Sequence, residues 1–254
     1  METAARQTSY FRTAPVLPAI FLLLFFPMVI LPQPLIYEVA WLGVPVVDVT
    51  IDSRADEWGD YTEYQAQTRV WFDRIYSVDN RYRIWVNDVS GQPLRYEKQI
   101  HERGVRDSLK ARYDLENTHR VIYSNGAERP WTPEGQTFFS ALIWMQHHDW
   151  EIQEKRVQQV EVEGVMWEVE LACLNSAHSD AGSSDVVEIS VHFSERLEGE
   201  PVLATTDVLT YMLPGEDHQL RFALDVEHDL ILWVEFGSWP FIVRAELISD
   251  YNSP

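Results

Sequence analysis

The densest group of side chains able to do chemistry is "QHHDWE", residues 146–151. His147, His148, Asp149 and Glu151 offer imidazole and carboxylate donors suited to a borderline metal such as zinc. On a helix, neighbouring residues point about 100° apart, so the two histidines diverge and only His147 and Glu151 share a face. Histidines that end a helix by interacting with its dipole and last carbonyls fit the same letters. No metal is expected. His178, His192, His218 and His228 are scattered and read as surface residues. The 40 acids can supply a carboxylate pair for glycoside hydrolysis, but that many acids also form pairs by chance. The single cysteine, Cys173, rules out an intrachain disulfide. It alternates with Trp167, Val169 and Leu171 on one face of "WEVELACL", and no basic neighbour in sequence lowers its pKa. It reads as a buried structural thiol. G-x-S-x-G, H-E-x-x-H, C-x-x-C, the P-loop and G-x-G-x-x-G are all absent. Common hydrolases, zincins, redox folds and nucleotide enzymes therefore lose their support, and neither catalytic residues nor a cofactor are expected.

Charge narrows the partners. Net charge is −20; Arg6 and Arg12 against Glu2 leave the first 32 residues at +1, so the remainder carries −21. Such a field repels phosphate and opposes nucleic acid or anionic headgroups. Against it stands one basic stretch of Arg95, Lys98, Arg103, Arg106, Lys110, Arg112 and Arg120. It can seat an anionic group, or simply form a solvated strand pair whose cations guard an edge.

The elements that must hold these side chains are mostly strands. "YTEYQAQTRVWF" and "RYRIWVND" alternate apolar and polar residues, and "PLRYEKQIHERGVRDSLKARYDL" reads as two strands around a turn near Gly104. "LIYEVAWLGVPVVDVTID" reads as one strand from Tyr37 to Ile51, with its even positions apolar as well. "TTDVLTYML", "DLILWVEFG" and "WPFIVRAELIS" continue the series, while "NSAHSDAGSSD" (175–185) reads as a polar loop. One segment breaks the period of two. In "TPEGQTFFSALIWMQHHDW", Thr132, Pro133 and Glu134 read as a helix start, and Phe138, Ala141, Leu142 and Met145 form an apolar stripe. With 13% aromatics and 10 tryptophans, the sheet faces need covering. A curved antiparallel sheet or open β-barrel wrapping that principal helix meets the need. Two regions follow: an N-terminal hydrophobic segment (1–33) and a single β-rich domain (34–254).

The N-terminal segment reads as a membrane address. Residues 14–31, "APVLPAIFLLLFFPMVIL", carry no charge and follow Arg6 and Arg12. They fall just short of a regular span, contain Pro18 and Pro27, and lack a following A-x-A-like site. The expectation is an uncleaved anchor, with a cleaved signal peptide as the alternative. Arginines on the short side place the domain on the periplasmic side of the inner membrane, or soluble in the periplasm or secreted if the segment is removed.

"YEVAWLGVPVVDVTID" resembles the opening Tyr-x-Val-x-Trp-Leu-Gly-x-Pro of the bacterial domain-of-unknown-function family 3108. "PLRYEKQIHERG" with "ARYDLE", the "FFSALIWMQ" helix and the closing "WPFIVRAELIS" are similar to its later regions, so the resemblance covers most of residues 35–249. The helix departs from the family in lacking an Asp-Pro lead and an Arg, and "SAHSDAGSSD" is extra. The resemblance implies an exported envelope protein with the barrel of lipoprotein-localisation carriers, and it brings no catalytic residues. Three functions follow in order: a noncatalytic binder or carrier of a lipid-like ligand, a structural or protein-interaction domain, and a glycan-active enzyme. For the first, Tyr37, Val39, Trp41, Phe138, Leu142 and Met145 are expected to line a cavity for an acyl chain.

Overall fold

The described residues of this computed structural model are 33–87, 89–178, 185–213, 219–237 and 242–249. The hydrophobic segment 14–31, expected to be an anchor or signal, lies outside them. Among the described residues no helix is long and apolar enough to cross a membrane.

The chain builds one sheet. Its first half is β1 (Leu35–Trp41), β2 (Val44–Asp56), β3 (Gly59–Thr68), β4 (Asp79–Val86) and β5 (Pro93–Glu102). It continues through β6 (Val105–Asp114), β7 (Arg120–Tyr123) and β8 (Glu128–Pro130). The second half is β9 (Gln136–Thr137), β10 (Lys155–Val162), β11 (Val165–His178) and β12 (Asp185–Gly199). After these come β13 (Gln219–Asp225), β14 (Leu230–Gly237) and β15 (Val243–Leu247). Three short helices interrupt the series: α1 (Val70–Asp73), α2 (Phe138–Gln146) and α3 (Val208–Met212). The 15 strands run in the order β8 to β1, then β15 down to β9, so β1 and β15 pair in the middle. All neighbours are antiparallel except β9 and β10. The free edges, β8 and β9, are separated by only residues 131–135.

Period-two burial explains most of the strands. In β6, Leu109, Ala111 and Tyr113 are buried while Lys110 and Arg112 are exposed. Register shifts between β11 and β12 at Met166/Trp167, Glu168/Val169 and Cys173/Asn175 bend two long strands, as bulges do. The expected single strand from Tyr37 to Ile51 is instead a hairpin. Leu42 and Gly43, with φ of 51° and 76°, form its two-residue turn. The surplus apolar residues are explained by that turn, because Leu42 and Val44 stand exposed at its tip.

The sheet curls around α2. Phe139 packs against Tyr64, Tyr82 and Tyr96 of the first half, at ring separations of 4.7, 4.9 and 6.0 Å. Ala141 and Met145 belong to the core of the second half with Val169, Leu171 and Phe222. Burying each such large side chain contributes about 1.5–3 kcal/mol. The helix starts later than the letters suggest: Thr132 to Gly135 form a turn, and Thr137 is the N-cap. Ser140 N donates to Thr137 Oγ1 at 3.0 Å and Thr137 N to Ser140 Oγ at 2.8 Å.

Two further expectations change. Residues 175–178 extend β11 and Asp185 opens β12, so both ends of the expected loop are strand; residues 179–184 lie outside the described set. "TTDVLTYML" is no strand: Asp207 caps α3 by accepting from Thr210 N. Residues 200–213 form a strap that leaves β12 and touches edge strand β8, the β7–β8 turn and the β10–β11 turn. Arg129 donates to Glu200 O, Asn125 to Val202 O, and Val202 N to Glu163 O.

Candidate functional site

The three helical residues expected at a ligand site do converge. Phe138, Leu142 and Met145 line an apolar cavity with Val160, Leu171 and Phe193. Its volume is about 20 Å³, room for one water. Tyr37 is buried in the same core and donates to Ile231 O at 2.6 Å, and burial drives its phenol pKa up. Val39 is half-buried. Trp41 lies apart at the hairpin tip, 39% exposed and edge-on to Phe72 of α1. Trp71, Val70 and Ile75 are exposed in and beside α1.

The histidine segment is tied up locally. His148 stacks on Trp144 and meets Trp150 edge-on, and its Nε2 lies 3.1 Å from Glu154. The Glu151 amide, His148 and Arg156 hold the Glu154 carboxyl down to about 2. His147, at the helix end, turns the other way, to Asp229 at 3.3 Å. Among the described residues no three metal-ligating side chains converge. Cys173 is buried, which pushes its thiol pKa up.

The chemistry that the sequence hides is inside the sheet. β5 points Tyr96, Lys98, Ile100 and Glu102 inward, and Lys98 is completely buried. Its ammonium contacts the carboxylates of Glu163 and Asp207, and donates to Thr206 Oγ1 at 3.0 Å and Thr210 Oγ1 at 2.8 Å. Three of these four partners belong to the strap. Glu163 comes from the β10–β11 turn, where it and Gly164 have φ of 50° and 91°. A Cβ on Gly164 would lie 2.6 Å from Val202, so only glycine lets the strap seat there. Glu161 accepts from the Tyr113 and Tyr123 hydroxyls at 3.1 and 2.8 Å and from the Gly164 amide. Glu102 accepts from Asn80, Tyr76 and the Val208 amide. Burial raises the pKa of Glu161 and of Glu163, and at Glu163 the Lys98 ammonium works against it. The cluster holds one cation among several acids, and every acid named accepts from groups in this chain.

The outer face of the same strands is charged differently. Asp52, Glu63, Arg83, Glu97 and Lys110 stand opposite one another across β2 to β6. Arg83 lies 2.6 Å from Glu63, while Arg95 and Lys110 lie 2.5 and 3.1 Å from Glu97. Burial alone would raise the Glu97 pKa, but these hydrogen bonds outweigh it and the net shift is downward. Arg95 also stacks on Trp58 and Trp85. The basic stretch is therefore no single patch: Lys98 faces in, and Arg95, Lys110 and Arg120 pair outside. Arg106 and Arg112 form no ion pair among the described residues, and Arg112 stands directly opposite Arg95.

No described protein family and no curated protein matches this chain by sequence. A solved structure does match in shape, the β-barrel-like protein of domain of unknown function DUF1849 from Brucella abortus. The two superpose with a TM-score of 0.58 at 9% identity, over 86% of this chain and 96% of that one. That designation differs from family 3108. What the neighbour establishes is the fold, so the chain is a β-barrel-like domain with one sheet around one principal helix.

Proposed function

We propose that this protein is a noncatalytic domain of the cell envelope that acts through its outer surface, as a structural or interaction module. One observation carries the reading: the space inside the sheet is taken by α2 and the strap. The two interior cavities beside them measure about 20 Å³ each. The uncharged sequence 14–31 behind Arg6 and Arg12 supports the compartment. The test is to titrate the purified protein with a fluorescent fatty-acid probe. The expected result is no saturable binding, and no difference between the parent and Leu142→Trp.

A second reading has one observation in its favour, the convergence of Phe138, Leu142 and Met145 on an apolar cavity. There, widening of that cavity would make room for an acyl chain. Saturable probe binding that disappears in a folded Leu142→Trp protein would establish this carrier and overturn the first reading.

A further inference from the structure

We propose that Lys98 and Asp207 condense into an intramolecular amide that joins β5 to the strap, with Glu163 carrying the protons. The three groups meet the requirements of the reaction. Nζ of Lys98 touches one carboxylate oxygen of each acid, and both Lys98 and Asp207 are 0% exposed. Asp207 is held from two sides, since Thr210 N donates to Oδ1 at 2.9 Å and Thr210 Oγ1 to Oδ2 at 3.0 Å. Its capping role at α3 holds the carboxyl group beside the amine. Thr206 donates to the same Glu163 oxygen that faces Nζ, at 2.8 Å.

Physical chemistry supplies the drive. One ammonium and two carboxylates leave a net negative charge in a dry interior, where each ion has lost its hydration. Burial raises the pKa of Glu163, so its carboxylate is a better proton acceptor than an ordinary one. Glu163 takes a proton from Nζ, which then attacks Cγ of Asp207 and forms a C–N bond. That proton and a second one from nitrogen pass through Glu163 to the departing oxygen, which leaves as water. No oxidant, metal or cofactor enters. The product holds an amide where an ion pair stood, and Glu163 ends in the protonation state in which it began. Rings around the site exclude competing water: Tyr82 and Tyr96 are buried, and the Lys98 ammonium lies 5.9 Å from the Tyr82 ring centroid.

The proposal is independent of whether the protein binds a lipid. Its test is mass spectrometry of the purified full chain, denatured and digested with trypsin. The expected result is a branched peptide joining the Lys98 and Asp207 segments, one water lighter than its parts, and no cleavage after Lys98. Asp207→Asn should still link, with the deficit changed from water to ammonia. Asp207→Ala and Glu163→Ala should leave Lys98 free; circular dichroism separates failure to link from failure to fold. A folded parent whose Lys98 peptide is fully cleaved and unmodified would overturn the proposal, as would a branch to Glu163 instead.

Discussion

Two charged regions share the strands β3 to β6, one on each face. Inside, a single ammonium, Lys98, serves Glu163 and Asp207. Outside, Glu97 is approached by Arg83, Arg95 and Lys110, at 3.9, 2.5 and 3.1 Å. The two carboxyls titrate in opposite directions: burial raises Glu163, and cation hydrogen bonds lower Glu97. What decides is the ratio of cations to acids, since Glu97 and Glu163 are both buried. The outer cations Arg83, Arg95 and Lys110 reach water, whereas the inner ammonium of Lys98 does not.

The largest effect should come from Lys98→Met. It leaves Glu163 and Asp207 buried without their cation, and breaking a buried pair in this way costs about 3–5 kcal/mol. Lys110→Met, on the outer ladder, should cost no more than about 1 kcal/mol, because its ammonium is well exposed. Urea unfolding of the two variants measures the contrast. Similar losses would erase the distinction between the faces.

A smaller effect is expected in pH. Glu161 has a folded pKa above its ordinary 4.5, so its proton stabilises the fold at low pH. That contribution is fully present below the ordinary value and is lost as pH rises through the raised one. Glu97 behaves in reverse: its contribution is present above 4.5 and lost as pH falls. Glu161→Gln should therefore flatten the stability profile above pH 4.5, and Glu97→Gln the profile below it. Denaturant midpoints measured from the acid range to neutral pH would show the two flattenings on opposite sides.

The smallest change should follow Arg112→Ala. Arg112 stands opposite Arg95 and forms no ion pair among the described residues, and like charges facing across strands are mildly destabilising. Stability should stay within about 0.5 kcal/mol of the parent or rise slightly. A clear loss in thermal melting would mean that Arg112 holds the ladder together.

The curved sheet around the 138–146 helix was legible because buried residues recur every two positions in strands such as β6, and the apolar residues Phe138, Ala141, Leu142 and Met145 every three to four in α2, although the central ring Phe139 lies off that stripe. The hairpin at Leu42–Gly43 was missed, since an apolar Leu in a left-handed turn gives no polar turn signal. Pro133 drew the helix start forward, whereas the cap is Thr137 with Ser140 in place of the usual acid. "TTDVLTYML" alternates like a strand, yet Asp207 is bound to Lys98 across 109 positions of sequence. Periodicity cannot report such a contact. The cluster was hidden for the same reason. Lys98 looked like one more member of a basic stretch, and only the inward parity of β5 sets it apart.

The pairing of β1 with β15, Tyr37 opposite Leu247, has a bearing on how the protein is made. A chain emerging from its N-terminus can form the hairpins β1 to β8 at once, from neighbours in sequence. One side of β1 must nevertheless wait for nearly the whole domain to follow, and such distant closures are slow. Throughout that interval a strand from the centre of the finished sheet is an open edge, with unpaired amides and carbonyls. Loss of β15 would not trim the rim of the protein. It would leave an almost complete molecule with a slit through its middle and two adhesive borders.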